Sequence, residues 1–151
     1  MMSTFELPQK RIFNSAFKER GRDDVVKVDV VQIADGDLLR LTFDAKNSPW
    51  RQGVWLKTDT YLVVDQQKSP SVQLWQDTAP DELLIECHTL NGCLHIYNIW
   101  DRGAGSESQS WTSGMLVEDL PNGRRYRCND IGFETNFTKL IFRIEWLSRA
   151  T

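Results

Sequence analysis

The chain has only two histidines, three cysteines and no excess of basic charge. No apolar run reaches the roughly 18 residues that a membrane-spanning helix requires, so no membrane span is expected. The net charge is −3 and the pI near 5.4, which argues against general affinity for nucleic acid. Two local basic runs, Lys10-Arg11 with Lys18, Arg20 and Arg22, and Arg124-Arg125-Tyr126-Arg127, read as solvated faces or salt-bridge partners on an acidic background. The first eight residues lack a basic region followed by an apolar stretch, and Cys87, Cys93 and Cys128 are odd in number. Both features predict a cytoplasmic protein with reduced thiols.

Signatures of catalysis are equally sparse. There is no Walker A loop, no glycine-rich dinucleotide fingerprint and no Gly-x-Ser-x-Gly elbow. Cys87 precedes His88 directly, and neighbours on a strand point to opposite faces, which argues against a thiol–imidazole dyad. No repeat, low-complexity tract or charge block divides the chain, so one domain spanning residues 1–151 is expected.

What the chain does have is alternation and turn chemistry. Asn91-Gly92 lies between two apolar-rich runs, and Asn-Gly favours the type I′ turn of a hairpin. Folded about that turn, Leu83, Ile85, Cys87, Leu94, Ile96 and Trp100 share one face. Glu86, His88, His95 and Tyr97 share the other, with the two histidines directly opposite. Asp35-Gly36 predicts a second hairpin, pairing Val30 with Leu41, with Asp29 on its wet face. Pro121-Asn122-Gly123 predicts a third, in which Gly123 is the left-handed residue of a bulge. The last run, Thr138 to Leu147, points Leu140, Phe142, Ile144 and Trp146 one way.

Pro8 at a first helical position, Gly21 at the end, and the stripe Ile12, Phe13, Ala16 and Phe17 predict a short N-terminal helix over residues 8–20. About nine strands follow. The expected fold is all-β, an antiparallel β-sandwich or jelly roll, with a closed β-barrel as the alternative, because periodicity does not separate two packed sheets from one closed sheet.

Two places stand out for function. The first is the polar face of the Asn91-Gly92 hairpin. Two imidazoles at cross-strand distance with Glu86 one step along present the ligand types of a divalent metal site, so Glu86, His88 and His95 are candidate metal ligands. A solvated polar face explains the same residues without a metal. The second is the Gly/Ser-rich segment from Trp100 to Ser113. Sugars are held by an aromatic face against C–H groups and by planar polar side chains on hydroxyls. Trp111, Asp101, Arg102 and Gln109 have that chemistry, and His95 and Tyr97 on the preceding strand are expected to line the floor. Trp100 falls on the apolar face and is expected in the core.

A third segment, Glu134-Thr135-Asn136-Phe137-Thr138-Lys139-Leu140-Ile141-Phe142, loosely resembles an Asp/Asn-Phe element that precedes a strand in some bacterial extracellular jelly-roll domains. There the acidic residues imply calcium; here Lys139 argues against a cation. Asn129-Asp130 reads as an Asx turn.

The expectation is therefore a non-catalytic binding module for carbohydrate or a similar polar small molecule, without cofactor. One alternative is a protein-interaction module that forms a homo-oligomer or partner interface through its surplus aromatics. The other is a metal-dependent enzyme on the histidine pair.

Overall fold

The computed structural model describes residues 8–150. Eleven strands form one antiparallel sheet: β1 (Ile12–Phe13), β2 (Val26–Gln32), β3 (Leu38–Lys46), β4 (Arg51–Val64), β5 (Gln67–Trp75), β6 (Leu83–His88), β7 (Cys93–Asp101), β8 (Ser106–Ser108), β9 (Gly114–Leu120), β10 (Gly123–Asn129) and β11 (Leu140–Ser148). Eight of them close into a barrel in the order β2-β9-β10-β11-β3-β6-β4-β7, with β7 returning to β2. The closed barrel, not two packed sheets, is the architecture. Strands β1, β5 and β8 attach outside the ring, to β2, β4 and β7 respectively. Among the described residues no helix is long and apolar enough to cross a membrane.

Side chains fill the interior, as expected for eight strands. Val31, Leu39, Leu41, Val54, Leu56, Ile85, Leu94, Ile96, Phe142 and Ile144 form one buried cluster. Every residue assigned by alternation to the apolar faces of β6, β7 and β11 is buried, Trp100 included.

Two hairpins are not where the turn dipeptides predict them. Strands β6 and β7 do not pair; β4 runs between them, with Arg51–Lys57 against β7 and Tyr61–Val63 against β6. The cause is local. A type I′ turn needs positive φ at both central residues, and only Gly92 has it (φ 80°). Asn91 instead accepts the Cys93 N–H on its side-chain oxygen at 3.0 Å, an Asx turn. The Asp59 carboxylate then occupies the turn, accepting the N–H groups of Leu90 (3.0 Å) and Asn91 (2.9 Å) and the Thr89 hydroxyl (2.8 Å). Asp35-Gly36 behaves alike. Gly36 alone has positive φ (95°), and β2 and β3 diverge to other partners. A two-residue hairpin turn with both positive φ values forms at Asp65 (51°) and Gln66 (64°), between Val64 and Gln67.

The third hairpin, β9–β10, is present, but Gly123 pairs with Leu120, so the loop is Pro121-Asn122 alone. Gly123 is required by contact rather than by a left-handed φ: a Cβ there would sit 1.9 Å from the Ile144 carbonyl oxygen.

The N-terminal helix is also corrected. Ile12 and Phe13 are exposed strand residues paired with β2, and only Ser15–Arg20 turns, as a 3-10 helix. The Asn14 side chain caps it on the Ala16 N–H, and Gly21 (φ 76°) ends it. Ile12 pairs with Val28 and Phe13 with Val26, so Lys27 is an extra residue, a bulge. That bulge reverses the inward parity of β2. Val26 and Val31 both enter the core, and Asp29, expected on a wet face, is fully buried inside the barrel.

Candidate functional site

Glu86, His88 and His95 do not form one site. His88 lies opposite Tyr61 and stacks on its ring, centroids 4.4 Å apart. Its Nδ1 is 3.0 Å from Asp35 and its Nε2 3.2 Å from Glu86. His95 lies on β7 opposite Lys57 and Val30, is buried, and its Nε2 meets the Pro8 carbonyl at 2.5 Å. The predicted opposition of the two imidazoles fails because β4 separates their strands.

The 100–113 segment is built in two parts that face different neighbours. Asp101 Oδ1 accepts the Gly103 N–H at 2.6 Å and so closes the β7–β8 loop on itself. Arg102 makes a two-pronged pair with Glu107 (2.8 and 2.6 Å) and lies 5.4 Å from the Trp50 ring centre. That pairing lowers the Glu107 pKa and raises that of Arg102. Tyr97 stacks on Trp55 at 4.3 Å on the outer face of the barrel. Burial raises its pKa, against hydrogen bonds with Ser108 and Gln109 that lower it. Asp101, Arg102, Gln109 and Tyr97 are thus engaged within the β7–β8 region, and His95 is engaged by Pro8 instead.

Trp111 is different. It is 69% exposed, the most exposed aromatic among the described residues. It borders a groove of about 450 Å³ together with Asn14, Ser15, Ala16, Glu19, Arg20, Lys27 and Phe133. Three loops converge to hold it. Asn14 Nδ2 donates to the carbonyls of Trp111 (2.9 Å) and Ser113 (2.7 Å), tying the N-terminal segment to the 110–113 turn. Ser113 N–H and hydroxyl both bond to the Ser110 carbonyl, tightening that turn. Buried Asn129 donates to the carbonyls of Thr112 (2.9 Å) and Gly132 (2.7 Å), and the Gly132 N–H reaches the Thr112 hydroxyl at 2.8 Å. This stitching sets Phe133 edge-on to Trp111, centroids 5.3 Å apart.

Beneath Phe133 a small apolar cluster of Phe17, Val25 and Phe137 anchors the platform. Phe17 meets Phe133 edge-on at 5.1 Å. Gly114, just after the turn, has φ 155°, and a Cβ there would lie 2.4 Å from Val25. The Trp111 backbone is therefore tied by hydrogen bonds, its indole packs edge-on with Phe133, and most of the ring is left to solvent.

A second groove, of about 560 Å³, runs along β5 and the 75–84 loop and is lined by Leu74, Trp75, Pro80 and Leu83. Its tryptophan is already covered. Arg51 lies 4.4 Å over the Trp75 ring and is fastened there by Asp77 at 2.8 Å. The Trp111 groove is the smaller of the two but the one with a free aromatic face.

Sequence reasoning singled out Trp111 and missed Asn14, Ser15, Ala16, Glu19, Arg20, Lys27 and Phe133, which come from other parts of the chain. Arg20 was visible only as a member of a basic run.

Compared with protein-family models, curated proteins and solved structures, the chain matches none.

Proposed function

We propose that the protein is a non-catalytic binding module for a carbohydrate or a similar polar small molecule, and that the Trp111 groove is its site. The observation that carries this reading is the exposed indole of Trp111, 69% accessible, standing as the wall of a groove with polar and charged neighbours. An apolar ring kept in water on a rigid base offers a flat face to the C–H side of a sugar ring. Ser15, Glu19, Arg20 and Lys27 supply the polar groups that orient hydroxyls. Preorganisation matters here, since a fixed platform loses little conformational freedom on binding.

A saccharide panel tests this, read by tryptophan fluorescence and by backbone amide shifts in the protein's NMR spectrum. The expected result is a saturable shift centred on residues 14–27, 111 and 133, with Trp111→Ala weakening affinity tenfold or more. Trp111→Ala should leave thermal stability nearly unchanged, because the side chain is largely exposed. Unchanged binding by Trp111→Ala overturns the assignment of the site. A concentration-dependent dimer in light scattering, lost in Trp111→Ala, overturns it in favour of a protein interface.

A further inference from the structure

We infer that the ligand of the Trp111 groove is an acidic saccharide, a sugar carrying an anionic oxygen group such as a carboxylate or sulfate. This rests on the binding-module reading and adds the charge of the ligand to it.

The argument begins with the arginines. On this acidic protein they are mostly committed to carboxylates. Arg11 and Arg124 hold Asp29, Arg51 holds Asp77, Arg102 holds Glu107 and Arg143 holds Glu145. Arg20 is not committed in this way. Its guanidinium lies 4.1 Å over the centre of the Phe133 ring, and no Asp or Glu among the described residues is paired with it. Stacking uses only the flat face of a guanidinium. The in-plane N–H donors are not used by the ring and have no acceptor among the described residues, and their fork matches the two oxygens of a carboxylate or of a sulfate. The aromatic ring thus fixes the plane of the cation without consuming its hydrogen-bonding capacity.

Lys27 adds a second cation. As the bulged residue of β2 it breaks the alternation of the strand and borders the same groove. It too has no carboxylate partner among the described residues. Glu19 is the one acidic side chain in the lining, so the groove carries a net positive charge on a chain whose total is −3. Trp111 and Arg20 both rest on Phe133, Trp111 on it edge-on and Arg20 over its face. A sugar ring against the indole therefore brings a substituent within the compass of the guanidinium. Aromatic stacking selects the sugar, and the stacked cation selects the charge.

The experiment compares oligosaccharides matched in length: a uronic-acid oligomer, a sulfated oligomer and a neutral oligomer, each titrated into the full chain at near-physiological salt. Free acetate and free sulfate serve as anion-only arms. Binding is read from amide shifts at residues 14–27, 111 and 133. The expected result is that one acidic oligomer binds at least tenfold more tightly than the neutral one. Arg20→Gln should erase that preference, weakening the acidic oligomer at least tenfold more than the neutral one, and Lys27→Gln should reduce it in part. The arm that wins identifies the anionic group. Equal affinity for acidic and neutral oligomers overturns the inference and leaves the binding module standing. Free sulfate or acetate binding as tightly as the matching oligomer also overturns it, since the sugar ring would then contribute nothing. If no oligomer of any charge moves these resonances, the binding-module reading falls as well. Arg20 is exposed and lies outside the barrel core, and a fold check by amide dispersion separates loss of preference from loss of structure.

Discussion

The Tyr126 hydroxyl donates to the Asp29 carboxylate at 2.6 Å inside the barrel. Arg124 meets the same oxygen at 2.9 Å, and Arg11 meets the other oxygen at 2.9 Å. Asp29 is fully buried, and its two arginines reach in from partly exposed positions. Burial pushes the Tyr126 pKa well up, with the Asp29 charge adding to the effect, so the phenol stays a donor. Arg124 also donates to the Val30 carbonyl, tying the end of the β9–β10 hairpin back to β2.

Removing the centre of this network should therefore cost far more than removing a surface charge. Asp29→Ala leaves the buried Tyr126 hydroxyl without its acceptor and takes one carboxylate partner from each of Arg124 and Arg11, and breaking a buried charge arrangement on one side costs about 3 kcal/mol or more. Urea unfolding monitored by tryptophan fluorescence measures it. A loss under about 1 kcal/mol, the surface value, would show that the network does not support the barrel.

Asp59 sets a pH dependence. Burial acts to raise its pKa, but hydrogen bonds from Leu90, Thr89, Asn91 and Thr60 outweigh that and hold it below the ordinary value of 3.8. A carboxyl with a depressed folded-state pKa contributes stability above its unfolded pKa, and that contribution fades as pH falls through the folded value. Asp59→Asn should be less stable than the wild type by about 1 kcal/mol at pH 7, a modest figure because the site is solvent-screened. The gap should shrink steadily below about pH 4. Urea midpoints at neutral and acid pH check this, and a gap that does not change with pH would refute it.

Gly123 answers to sterics. An added Cβ meets the Ile144 carbonyl oxygen at 1.9 Å and Glu145 Cα at 3.0 Å, both backbone atoms that do not swing aside. Gly123→Ala should destabilise by about 2 to 3 kcal/mol and loosen the β10–β11 pairing. Hydrogen exchange at Arg124, Arg125 and Ile144 should then be faster in the variant than in the wild type.

The thiols should be inert in the folded protein. Cys87, Cys93 and Cys128 are all buried and free. Burial, with Asp37 and Glu86 nearby, pushes Cys87 up to about 12, and burial beside Asp130 pushes Cys128 well up. A thiol-reactive dye at pH 8 should label none of the three in the native state and all of them in denaturant. Fast labelling of the native protein would mean that the barrel opens on the timescale of the reaction.

Sequence by itself determined which residues face inward along β6, β7 and β11, because strand alternation is a property of neighbouring residues and needs no knowledge of the partner strand. Leu83, Ile85 and Cys87 are buried whichever strand lies beside them, and Trp100 is in the core for the same reason. The chain also marked its turns, since Gly36 and Gly92 do adopt the left-handed conformation. Tertiary structure alone decided what those turns connect. Whether Asn91 takes a positive φ depends on the Asp59 carboxylate, which arrives from β4 and claims the N–H groups of the turn. In the closed barrel β4 lies between β6 and β7, and the two histidines are apart. The candidate site divides along the same line. Trp111 was legible as an aromatic in a polar loop, whereas Arg20, Lys27 and Phe133 join it only because Asn14 and Asn129 bind distant loops to its turn. Contacts spanning most of the chain leave no local pattern, so only the folded barrel could assemble that groove.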